Sequence, residues 1–193
     1  MVESGLRERQ KVQRRVAIVR AAFTLFADHG YDATTVADIA AAAEVSPRTV
    51  TLYFPTKLDI ALSRFSEAAE RLADALRERA PGETVTQIMG RWVCEKHAHP
   101  YEEDLRELGR RMFEANPELR ALRTARMAEA IREGTRAIAQ DLGTTADDVR
   151  PRIAAAAAAA VLIEIADGPA DTDHDRALDI ALTFLQGGLA TLG

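Results

Sequence analysis

Cysteine is nearly absent. Cys94 is alone among 193 residues, so no internal disulfide framework holds the chain, and that usage fits a reducing compartment. Aromatic residues make up only 5%, with a single tryptophan, and no segment carries a strand signal. Abundant Ala, Leu, Glu and Arg tip the balance toward helix, so the expected fold is all-α. No apolar run reaches the length of a membrane span. The best candidate, residues 154–163, is short and alanine-rich, and Glu164 follows it. An apolar secretion core is missing from the start of the sequence, so a cytoplasmic location is expected. Catalytic triad, phosphate loop and nucleophile elbow are also missing, which leaves no catalytic residue and no cofactor to nominate.

What is present is ordinary for a globular protein: 47% hydrophobic residues, 28% charged ones and a net charge of −5. An acidic total argues at first against a nucleic-acid partner. The distribution of the charge argues the other way. Arg7, Arg9, Lys11, Arg14, Arg15 and Arg20 face only Glu3 and Glu8 in the first twenty residues, whereas residues 61–193 hold 17 basic and 23 acidic side chains. The acidic bulk lies away from a basic arm, so electrostatics can still orient the molecule on phosphate.

The most informative stretch runs from Thr34 to Leu62. Thr35 and Asp38 have the spacing of a capping box, and Val36, Ile39, Ala40 and Ala43 follow at helical spacing. Ser46-Pro47 then opens a second helix, with serine as cap and proline where it forfeits no hydrogen bond. Val45, Val50 and Phe54 pack back on the first helix, which leaves Arg48, Thr49, Thr51, Leu52 and Tyr53 over the other faces. Two short helices joined by a tight turn, with donors outside on the second, predict a helix-turn-helix sized for a major groove.

This stretch resembles the DNA-binding domain of the TetR family of transcriptional repressors. The match runs from AAFTLFADHGYDATTVADIA through AAAEVSPRTVTLYFPTK to LDIAL, about the first third of the chain. Its most specific element is Tyr53-Phe54-Pro55-Thr56-Lys57. Family members often carry glycine where this chain has Glu44, and a left-handed backbone there costs a non-glycine residue roughly 1 kcal/mol. The resemblance implies about nine helices: a three-helix DNA-binding head over residues 1–57 and a ligand-binding and dimerisation body over 58–193. A fourth helix, from about 56 to 79, links the two. It also implies double-stranded, near-palindromic operator DNA as partner, with base contacts from Arg48 and Thr49. Thr35, Tyr53 and Lys57 are expected on phosphate, and Ser46 and Thr51 complete the DNA-binding set.

The remaining chain divides at local signals. The first helix is expected from about Val12 to the Gly30 cap, with Val12, Val16, Val19, Phe23 and Phe26 as its buried stripe, after a loosely ordered start. Ala80-Pro81-Gly82 is a break, and Thr84 with Gln87 caps a fifth helix through about His97. A sixth opens at Glu102–Asp104, and Asn116-Pro117 caps a seventh that reaches Leu142-Gly143. Thr145 and Asp148 can cap the eighth, and Asp173 the ninth.

In the body, Phe65, Met89, Trp92, Phe113 and Met127 have two readings. They are a packed helical core, or, as the resemblance implies, walls of a cavity for an apolar small-molecule inducer. Met112 belongs with them. Cys94, His97 and His99 invite a metal site, but a second cysteine and a helical metal-carboxylate spacing are both missing, so no metal is expected. Residues 154–160, all alanine, form either a plain buried helix or a close-approach surface. In the second case the eighth and ninth helices meet their symmetry mates in a homodimer, with Ala157 and Leu185 at the contact. The function these readings support is a ligand-released transcriptional repressor that is not an enzyme. A helical enzyme or carrier keeping the head as scaffold, and a constitutive DNA binder without a ligand, are the alternatives.

Overall fold

The computed structural model describes residues 2–97, 103–167 and 174–191, and these form eleven helices and no strand. Packing separates them into two units: Met1–Phe65 with Tyr101–Arg123, and Ser66–Pro100 with Thr124–Gly193. That division differs from a cut at residue 57, because the first unit also recruits the middle of the chain.

In the first unit, α1 (Val2–His29) precedes α2 (Val36–Ala42), α3 (Pro47–Tyr53), α4 (Lys57–Ala61) and α7 (Glu103–Ala115). The helix α1 begins well before the expected Val12, since Leu6 to Lys11 are all strong helix formers. Its buried face is also shifted: Val12 and Val16 are exposed, while Ile18, Val19, Ala22, Phe23 and Phe26 are buried. The cause is α7, which lies along α1 and adds Leu105 and Met112 to the same core as Ile39, Val50, Phe54 and Ile60. Gly109 faces the Phe23 ring across that contact, where a Cβ would stand at an ordinary van der Waals distance of 3.4 Å. Gly30 closes α1 with φ 88, the left-handed cap expected of it.

In the second unit, α5 (Ser63–Arg77) contributes from Ser66 onward, burying Ala68, Ala69, Leu72, Ala73 and Leu76 on one stripe. The helix α6 (Val85–His97) packs on α9 (Ala128–Asp141) and α11 (His174–Ala190), and α10 (Val149–Asp167) packs on both α9 and α11. The Thr84–Gln87 capping box forms, with Gln87 N–H donating to Thr84 Oγ1 at 3.3 Å and Thr84 N–H to Gln87 Oε1 at 2.9 Å. At α10 the cap is Asp148 alone, which accepts from Arg150 N–H at 2.9 Å. Pro151 sits buried in that first turn. No described helix is long and apolar enough to cross a membrane.

Two helices expected as continuous are each broken. The segment from 56 to 79 becomes α4 and α5 at Leu62, where φ −97 and ψ 3 tighten the turn and its N–H reaches both Ile60 and Leu58 carbonyls. The segment after Pro117 becomes α8 (Glu118–Arg126) and α9, parted at Met127 with φ −83 and ψ −5. No glycine or proline stands at either break.

Candidate nucleic-acid interface

Local chemistry holds the two motif helices rigidly. Thr35 and Asp38 close the capping box: Asp38 N–H donates to Thr35 Oγ1 at 3.2 Å, and Thr35 N–H to Asp38 Oδ2 at 2.8 Å. Hydrogen bonds from the Thr35 hydroxyl and backbone hold the Asp38 carboxyl below the usual range. At the other end of α2, Val45 N–H reaches Ala40 O at 2.9 Å and Glu44 N–H reaches Ala41 O at 3.2 Å, the crossed pair of a Schellman turn. That turn places its second residue in left-handed backbone, and Glu44 has φ 54, as the family's glycine preference implies.

Ser46 then caps α3, accepting from Thr49 N–H at 3.0 Å, with Pro47 in the first turn. Val50 and Phe54 are buried against the head core, and Val45 and Tyr53 pack beside them. Arg48, Thr51 and Leu52 are left exposed, with Thr49 half-buried. The hydroxyls on this face already have internal bonds. Thr49 Oγ1 pairs with Ser46 Oγ at 2.8 Å, and Thr51 Oγ1 donates to Arg48 O at 3.1 Å. A second capping box, Thr56 with Asp59, starts α4: Asp59 N–H donates to Thr56 Oγ1 at 3.1 Å and Thr56 N–H to Asp59 Oδ2 at 3.0 Å.

Lys57 has a more internal role than a phosphate clamp requires. Its ammonium donates to the carbonyls of Tyr31 at 2.5 Å and Thr34 at 2.9 Å, and lies 3.4 Å from that of Asp32. It also sits 4.2 Å over the Tyr31 ring. It therefore pins the corner between α1 and α2. Burial, then the charges of Asp32 and Asp59, push the Tyr31 phenol up. Arg15 stacks 4.7 Å over Phe54, and Arg14 is exposed.

Asn116, which its sequence neighbours mark only as a helix cap, has a larger part. It is buried, and its Nδ2 donates to Phe26 O at 2.9 Å and Met112 O at 2.7 Å while its Oδ1 accepts from Tyr31 N–H at 2.6 Å. It welds the end of α7 to the end of α1. An asparagine before proline is a readable signal; the distant partners are not.

The five residues expected around one ligand are divided between the units. Phe65 and Phe113 flank the buried Arg123 guanidinium at 5.7 and 4.5 Å, and Met112 lies in the head core. Phe113 packs on that core because α7 lies along α1. Met89 and Met127 line a separate apolar cavity with Leu72, Val85, Ile138 and Leu162. Its volume is about 20 Å³, room for roughly one water. Trp92 is half-buried and donates Nε1–H to Ala68 O at 3.1 Å. His99 lies outside the described residues, as do the side chains of Cys94 and His97. Among the described residues no group of His, Cys, Asp and Glu has metal-holding geometry.

A rigid helix-turn-helix with an outward second helix defines the class of a DNA-reading head. Comparison with known proteins narrows this. Residues 18–63 match the bacterial regulatory proteins of the tetR family, and residues 83–190 match the MftR C-terminal domain. The chain belongs to the tetR family of bacterial regulators. It is 41% identical over 85 residues to the HTH-type transcriptional regulator TcmR of Streptomyces glaucescens, covering 44% of this chain and 38% of that protein. It is 36% identical over 76 residues to the fatty acid metabolism regulator protein of Bacillus subtilis (strain 168), covering 37% and 39%. The matches thus span about two fifths of each relative. Among solved structures, NalD, the secondary repressor of the MexAB-OprM multidrug efflux pump in Pseudomonas aeruginosa, superposes with a TM-score of 0.62 at 20% identity. That superposition covers 93% of this chain and 97% of the other; at that identity it speaks for the fold alone.

Proposed function

We propose that this chain is a homodimeric transcriptional repressor that grips a near-palindromic operator and lets go when a small apolar molecule enters its second unit. The observation that carries the reading is α3, pinned by Ser46, Pro47 and the Glu44 turn, with Arg48 exposed near its N-terminus. Such a guanidinium can donate two bonds to a guanine edge. Thr49 is assigned to the bases with Arg48, Thr35 and Tyr53 to phosphate, with Ser46 and Thr51 completing the set, and Lys57 acts chiefly by holding the corner that presents them. The protein acts in the cytoplasm, where its operator lies.

The test compares Arg48→Ala with wild type on a duplex selected from a random library and on an unselected duplex. The variant should lose about 1–3 kcal/mol on the selected duplex and little on the other. Equal loss on both would make Arg48 a phosphate clamp.

The narrow cavity favours a second reading, a constitutive binder whose core is filled. Titration with apolar compounds, followed through Trp92 fluorescence, separates the two. An inducer must weaken DNA by the factor by which DNA weakens it. Under the constitutive reading no compound couples to operator affinity.

A further inference from the structure

Leu52 is 82% exposed, more than any other large apolar side chain among the described residues. A single exposed leucine on a surface ordinarily needs no explanation. Its position gives this one a meaning. It falls two residues beyond the buried Val50, hence on the opposite side of α3, and four beyond Arg48, hence on the same face one turn further along. Between them Thr51 spends its hydroxyl on Arg48 O, at 3.1 Å, so beyond Arg48 the face offers little but a methyl and an isobutyl group. In the major groove the apolar group that a base edge presents is the 5-methyl of thymine. We propose that Leu52 is a specificity determinant that reads a thymine in each operator half-site by packing on its 5-methyl group. It does so one turn beyond the base addressed by Arg48. This rests on the DNA-reading function proposed above, and is tested apart from it.

The full chain is used to select duplexes from a random library. Each thymine of the selected site is then replaced by deoxyuridine, symmetrically in both half-sites, and affinities are measured for wild type, Leu52→Ala and Leu52→Gln. Removing one methyl from an apolar contact costs about fourfold, so paired replacement should weaken wild type about fifteenfold at one thymine position. Both variants should be indifferent to uridine at that position. Leu52→Gln keeps bulk and helix propensity, so its indifference cannot be blamed on lost folding. The proposal is overturned if no uridine weakens wild type more than about twofold, or if the sensitive position stays sensitive in both variants; either outcome leaves sequence selection standing and releases Leu52 to a protein partner. Enrichment of no sequence removes the DNA-reading function, and this proposal with it.

Discussion

Glu44 shows how one residue records a compromise between turn and sequence. The Schellman hydrogen bonds to Ala40 and Ala41 demand left-handed backbone, and glutamate adopts it at φ 54 without glycine's freedom. Glu44→Gly should therefore stabilise the protein by about 1 kcal/mol, raising the melting temperature by about 2–4 °C. Glu44→Ala retains a Cβ and should leave the melting temperature close to wild type. Equal gains from both substitutions would mean the glutamate side chain, not the backbone, is the source of the cost. Arg48 and Lys57 illustrate another contrast at this scale: both are basic residues of one motif, but Arg48 is exposed while Lys57 bonds to carbonyls 23 and 26 residues away. Sequence spacing carries no trace of that difference.

Capping is the scale at which the sequence is most legible. Thr35–Asp38, Ser46-Pro47, Gly30 and Thr84–Gln87 all form as their spacing predicts, because each bond closes within three or four residues. What is illegible depends on distant packing. The helix α7 is expected in the body, yet its Leu105 and Met112 complete the core beneath α1, and Asn116 reaches back 85 residues to Tyr31. The breaks at Leu62 and Met127 lack the glycine or proline that would mark them. Asp148 offers a test of capping energetics. Hydrogen bonds from the Arg150 guanidinium, then from Arg150 N–H and the Thr144 hydroxyl, hold its carboxyl well below the usual range. A folded-state value below the unfolded one means the carboxylate stabilises the fold above about pH 4 and loses that effect as pH falls further. Asp148→Ala should thus melt below wild type by the same margin at pH 7 and pH 5, and by a smaller one at pH 3. A constant margin across all three would assign the cap to the side chain's shape instead of its charge.

At the scale of the whole molecule, the described residues of the second unit carry an apolar surface that a single chain leaves uncovered. Along α10, Val149, Ile153, Ala156 and Ala160 are all exposed at helical spacing, and along α11 so are Ile180, Phe184, Gly187 and Gly188. Large apolar groups alternating with alanine and glycine suit two helices meeting their symmetry mates closely. The eighth and ninth helices expected from the sequence correspond to this pair, and we propose that they pair through its exposed residues. Leu185 is buried within its own chain and Ala157 is half-buried, so neither is the best probe. Ile153→Arg and Phe184→Arg should each remain helical by circular dichroism yet sediment as monomers, because closing the interface would bury an unpaired charge at a cost of about 3–5 kcal/mol. Operator affinity should fall with them, since one head makes too few base contacts to hold a site alone. Leu185→Arg should behave differently, lowering the melting temperature of the chain itself. If Ile153→Arg and Phe184→Arg both stay dimeric, the pairing surface lies off α10 and α11. If they become monomers but bind the selected duplex as wild type does, each head is sufficient for recognition and the two-fold operator is dispensable.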